Sequence, residues 1–311
     1  MAPFWISIAV LSLAQGAVVA LPRAWPREAD RRSRSRVGPR GLERLRSGRW
    51  ALIPPASVVA FVFGARAAEH ASAQALTYAA LCAVPPLAAL ALGWLAHGAR
   101  PARALLVAPL FALAWLDRGG LAGEAAAVVL TALSCVALGT LLAAVTPPRW
   151  LAFGILGMAA ADTALVVADL LQRPNNVLNA AHPAAGLPRL QSAVFGSAVV
   201  GYGDLFVAAL LGGLLASTCA RSLQLRAAVL AAAIALCFDL LFFAVDELPA
   251  TVPIALTLLA LSGARRRQGA AWLAPRRREG SVRARPPLDA APPRSPRGAP
   301  EARRGQRQAV R

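Results

Sequence analysis

The chain has 311 residues, 57% of them hydrophobic and only 15% charged, where an average soluble domain carries about a quarter charged residues. Its formal net charge of +18 would suit a nucleic-acid binder if it were spread over a folded domain. All 33 basic residues are Arg, and residues 22–50 hold a net +7 and residues 265–311 a net +11, so the other 235 residues carry nine Arg and nine acids and are neutral. These numbers exclude an ordinary soluble enzyme and a basic nucleic-acid-binding domain; they describe an apolar body with two basic strips.

A membrane-crossing helix needs about 20 mostly apolar residues. Nine stretches qualify, at about 4–21, 51–67, 73–97, 102–117, 121–146, 149–172, 192–218, 224–246 and 248–264. Their Ala- and Leu-rich composition favours helix over strand, and the alternating ten-residue strands of an outer-membrane barrel are not visible. The expected fold is an all-α polytopic bundle. Residues 1–148 would form helices one to five with the basic loop at 22–50, residues 149–264 helices six to nine, and 265–311 a disordered basic tail. The first stretch has no basic residue before it and Arg after it, the wrong polarity for a signal peptide, which predicts a retained helix with its N-terminus outside.

Nine spans place both strips on one side, and 29 of the 33 Arg then fall on that side, as the positive-inside rule requires of a cytoplasmic face. Trp5, Trp50, Trp94, Trp115 and Trp150 all lie near predicted span ends, where interfacial aromatics belong. The strips are expected to adhere to anionic lipid headgroups. The four cysteines are dispersed with no C-x-x-C pair, so neither a zinc site nor a disulfide framework is indicated, and no cofactor is implied.

Against this neutral bundle the acids at membrane depth stand out, because a carboxylate there costs roughly 2.5 kcal/mol or more and marks a functional site by default. Asp162 lies 13 residues from Arg149 and Asp204 lies 14 residues from Thr218, which on adjacent antiparallel helices sets both about 20 Å from the same face. Asp169 is two turns further along the sixth stretch on nearly the same side; Glu124 is close enough to a span end to snorkel. Asp239 reads as a helix-contact acid. Two carboxylates at one level cannot both ionise. The ionised partner can act as base on a water while the protonated one polarises a carbonyl. A proton-carrying pair in a transporter would use the same two acids.

Asp204 ends the run Gly201-Tyr202-Gly203-Asp204, and the stretch Pro188 to Leu210 reads PRLQSAVFGSAVVGYGDLFVAAL. With Asp162-Thr163-Ala164-Leu165 upstream and Pro249-Ala250-Thr251 two spans downstream, the chain resembles the GxGD intramembrane aspartyl proteases, the presenilin and signal peptide peptidase family. It departs from that pattern at Ala161, where the family usually has Tyr, and at Thr251, where it has Leu. The resemblance covers about residues 149–264. It implies a protease cutting single-span or signal-peptide helices, with Asp162 and Asp204 as the catalytic dyad, Gly201, Tyr202, Gly203, Pro249, Ala250 and Thr251 as active-site support, and Asp169 as the fallback acid. Prepilin peptidases also carry GxGD, but typically with a Lys soon after it; here Leu205 and Phe206 follow and the chain has no Lys. The segment 173–190, with Asn175, Asn176, Asn179 and His182, reads as a polar loop joining the two acid-bearing helices.

Overall fold

The computed structural model describes residues 4–23, 47–67, 69–170, 172–181, 183, 186–243 and 248–267. The expectations for the body of the 22–50 loop, for His182 and for the 265–311 tail beyond residue 267 lie outside them. The chain divides into a unit Met1–Ala274 and a second unit, Pro275–Arg311; the first holds every element below.

Ten α-helices follow in order: α1 Phe4–Ala20, α2 Ile53–Ala67, α3 Glu69–Leu90, α4 Val107–Leu116, α5 Leu121–Val145, α6 Pro148–Val167, α7 Gln172–Ala180, α8 Tyr202–Thr218, α9 Arg221–Asp239 and α10 Val252–Arg267. A π-helical turn, Ala91–Leu95, continues α3, and short 3-10 segments precede α2 and α4. Four helical segments, Ala73–Leu95, α5, α6 and α9, are long and apolar enough to cross a membrane. Of the other predicted spans, five appear as shorter apolar helices. Large apolar side chains point outward on most of them, among them Leu13, Phe63, Leu116, Val167 and Val229, and an exterior of this kind belongs in lipid rather than water. All five interfacial Trp candidates are exposed as well.

The seventh predicted span does not form one helix. Residues 192–201 form an antiparallel hairpin, β1 Ser192–Phe195 and β2 Ala198–Gly201, paired Ser192 with Gly201 through Phe195 with Ala198. The two-residue loop begins with Gly196 at φ +59, the position that type II′ hairpin turns reserve for Gly. The apolar run was long enough to span, but β-branched residues on either side of Gly-Ser favour strands, and α8 is left with 17 residues, about 25 Å.

The core is built around α8, whose residues 207–215 are all buried, packed chiefly against α5. Small residues let the two backbones meet. A Cβ added at Gly139 on α5 would fall 2.6 Å from the Ala209 backbone, and one at Gly213 on α8 would fall 2.9 Å from the Ala143 methyl. The same device seats α1: a Cβ at Gly16 would fall 2.8 Å from the Ala228 carbonyl oxygen of α9, and one at Gly212 would fall 2.6 Å from the Val19 carbonyl oxygen. In a bilayer, where apolar burial does not drive helix association, such close packing is the main attraction.

Replacing Gly139 by Val is therefore expected to destabilise the bundle by about 1–3 kcal/mol or more, read as a lowered melting temperature in detergent. Gly64→Ala, where an added Cβ meets nothing within 4 Å, should leave it unchanged.

Candidate functional site

Asp204 is not in mid-helix, as a continuous seventh span would place it. It is the third residue of α8, directly after the hairpin, and its carboxylate Oδ2 accepts the Gly201 N–H at 3.1 Å. An acid in the first turn suits the positive end of the helix dipole and satisfies one otherwise unpaired donor. This contact explains the first glycine of the motif, since a Cβ at position 201 would lie 2.9 Å from Asp204 Oδ2. Tyr202, between the two glycines, is held by α5: its hydroxyl shares a hydrogen bond of 3.0 Å with Ser134 Oγ, and the Cys135 thiol donates to its carbonyl at 3.7 Å.

Asp162 is in the penultimate turn of α6. One turn earlier on the same face, Met158 directs its methyl at α8, 3.6 Å from where a Cβ on Gly203 would stand. The two helices thus meet on the face that carries Asp162, and Asp204 lies within electrostatic reach of it. The third partner comes from beyond α9. Thr251, just before α10, donates its hydroxyl to Asp162 Oδ2 at 2.7 Å and its backbone N–H to the same oxygen at 3.3 Å. Pro249 and Ala250 lead into this contact, and the Pro249 carbonyl accepts the Val252 N–H at 3.1 Å. The fold therefore gathers Asp162, Gly201 to Asp204 and Pro249 to Thr251 where α6, α8 and α10 come together.

Asp169 is separated from this group. α6 ends at Val167, and Asp169 sits two residues on with φ +53. Its N–H donates to the Val166 carbonyl and that of Leu170 to the Leu165 carbonyl, both at 2.9 Å, the paired bonds of a Schellman helix stop. Asp tolerates the left-handed conformation better than most residues. The exposed Asp169 thus terminates α6 instead of sharing its Asp162 face. Glu124 does not snorkel freely: its carboxylate accepts the Gly196 N–H at the hairpin turn, at 2.6 Å. Asp239 accepts the Ser12 hydroxyl at 3.0 Å, a contact between α9 and α1, and stays within electrostatic reach of Asp204. Part of the predicted 173–190 loop is the helix α7.

Sequence reasoning missed Glu124 and Ser134 as supports for the Gly201–Asp204 segment; neither falls in a motif, and only the hairpin and the α5–α8 contact bring them there. Among the described residues, no group of three His, Cys, Asp or Glu side chains could hold a metal ion. Compared with protein-family models, curated proteins and solved structures, the chain matches none.

A hydrogen bond to a charged group contributes about 1.5–3 kcal/mol, so Glu124→Ala should loosen the hairpin. Amide exchange over residues 192–201 is expected to rise about tenfold or more, given that 1.4 kcal/mol corresponds to a factor of ten, while exchange in the core of α5 stays as it was.

Proposed function

We propose that this protein is an intramembrane aspartyl protease of the GxGD type, which hydrolyses peptide bonds within transmembrane or signal-peptide helices. The observation that carries the reading is the pair of hydrogen bonds from Thr251 to Asp162. These bonds join two of the three sequence segments on which the family resemblance rests, and Asp204 of the third lies within electrostatic reach of Asp162. Asp162 and Asp204 are the catalytic dyad. One, ionised, removes a proton from a water as its oxygen attacks the peptide carbonyl carbon. The other, protonated, gives its proton to the carbonyl oxygen. When the tetrahedral intermediate collapses, the C–N bond breaks, the proton taken from water goes to the departing amine, and a hydroxyl proton of the intermediate returns to the carboxylate that gave one, which leaves a carboxylic acid and restores the dyad.

Gly201 lets Asp204 accept the Gly201 N–H, Tyr202 anchors the segment to α5, Gly203 faces Met158 of α6, and Pro249 and Ala250 bring Thr251 to Asp162. Thr251 replaces the family's Leu with a side chain that orients a catalytic carboxyl directly, and Asp162 rather than Asp169 receives it. The proposed topology has nine membrane-embedded helices in the cell membrane, the N-terminus outside and both basic strips on the cytoplasmic side against anionic headgroups. The substrates are single-span helices, and nucleic acid is not a partner.

Reconstituted into liposomes with a fluorescent single-span substrate, the wild-type protein should cleave it, and Asp162→Asn and Asp204→Asn should each abolish cleavage. Thr251→Val should lower kcat about tenfold, the effect of about 1.4 kcal/mol from one lost charge-assisted bond, and Thr251→Ser should restore most of it. A wild-type protein that cleaves no helix of a signal-peptide and single-span panel, but carries a proton flux that the same two Asn variants stop, would sink the protease in favour of a transporter.

A further inference from the structure

Three chain segments meet at one end of the bundle, just past the ends of α1 and α3 and at the start of α9. Pro22 bridges to Ala96 in antiparallel fashion, the Arg23 N–H donates to the Leu95 carbonyl and the His97 N–H to the Leu21 carbonyl, both at 2.9 Å. Beneath them is Gln224 of α9, only 1% exposed, whose amide donates to the carbonyls of Val19, Pro22 and Gly212 at 3.0, 2.9 and 3.4 Å. Its carbonyl oxygen accepts from the Arg221 guanidinium at 2.9 Å, and the same guanidinium nitrogen donates to the Ala20 carbonyl. Arg221 is thus fixed by a buried amide and is not a loose surface cation.

The charges around this anchor have one sign. The groups that act electrostatically on His97 are Arg221 and Arg23. Arg103 donates to the Gly98 carbonyl at 2.5 Å and adds a further cation beside the turn. Among the described residues no carboxylate is ion-paired with any of them. Burial holds the His97 imidazole below its ordinary pKa, and the Arg221 charge adds to this, while a hydrogen bond with Gln224 opposes it.

Depth and surface identify the occupant. Trp94, three residues before His97, is 57% exposed, as a ring at headgroup level would be. From Arg221 along α9, at helical spacing, come Leu225 at 44% exposed, Val229 at 71% and Leu236 at 38%, an apolar stripe that starts under the cation and runs into the membrane-depth part of the helix. A soluble anion would use the cations and leave the stripe idle.

We infer that this corner is a binding site for one anionic phospholipid, its phosphate held by Arg221, His97 and Arg23 and an acyl chain lying along Leu225, Val229 and Leu236. The site is distinct from diffuse adhesion by the basic strips, because Arg221 and His97 both bond the buried Gln224 and the stripe begins beside Arg221. It is also independent of the protease chemistry.

The test uses the full-length protein in nanodiscs containing equal phosphatidylglycerol and phosphatidylcholine, with the lipids retained after detergent stripping counted by native mass spectrometry. One phosphatidylglycerol should be retained over phosphatidylcholine by about tenfold or more, the effect of about 1.4 kcal/mol from a charge-assisted contact. The double variant Arg23→Gln/His97→Gln should lose that preference with its melting temperature unchanged, while Arg49→Gln, within the same basic strip, should keep it. In the wild-type protein alone, the His97 pKa should rise when phosphatidylglycerol replaces phosphatidylcholine, since an anion favours the imidazolium.

Equal retention of the two lipids overturns the site, as does an unchanged preference in the double variant. Displacement of the retained lipid by millimolar inorganic phosphate would make it a soluble-anion site. A preference that appears only in Glu28→Gln/Asp30→Asn would mean that the strip's own carboxylates fill it.

Discussion

The contact on which the rest of the bundle depends is the approach of two backbones, α5 and α8, at Gly139, Ala209 and Gly213. At that separation not even a methyl fits at Gly139, so the pair is fixed in both distance and rotation. Fixing α8 fixes where its first turn opens, and that turn carries Asp204. The same α5 reaches the motif a second time through Ser134 and Tyr202, and a third through Glu124 at the hairpin turn. One helix therefore determines the depth, the facing and the lead-in of the segment that contains the half-buried Asp204, although it contributes no acid to the group itself.

The two acids are held by unlike means. Asp204 is bound by its own helix start, through a donor three residues earlier; Asp162 is bound from a distance, by a hydroxyl and an amide 89 residues later in the chain. The first arrangement is local and forms with α8. The second exists only when α6 and α10 are docked, so the relative placement of the two carboxyls reports on the packing of the whole second half of the molecule.

Much of this was legible in the residues. Apolar length placed the helices, and the acids stood out because the bundle around them is otherwise neutral. Pattern singles out Gly201 to Asp204 and Pro249 to Thr251; Thr251 hydrogen-bonds Asp162, and Asp204 is within electrostatic reach of it. Three features were not legible, each for a physical reason. The hairpin at 192–201 was hidden because strand residues with high β propensity, Val194, Val199 and Val200, are also apolar enough to extend a helix-length run; the Gly196-Ser197 pair between them was the signal that could have separated the two. Asp169 was placed on the α6 face because periodicity carries no notice of where a helix stops, and no Gly marks this stop. Glu124 pairs with Gly196 across 72 residues, and no local pattern encodes a partner at that distance.

The seat of α1 has a consequence for how the chain assembles. Gly16 lies against Ala228, Ser12 against Asp239 and Val19 against Gly212 and Gln224, so α1 has its partners about 200 residues later in the chain. A hydrogen bond such as that between Ser12 and Asp239 spans 227 residues, and loop closure over such a distance must precede any return from the contact. During synthesis α1 therefore enters the bilayer before Asp239, which accepts its Ser12 hydroxyl, is made. The arrival of α8 and α9 then gives the helix a single fixed position, set by the Ser12 bond and by the close approaches at Gly16 and Gly212.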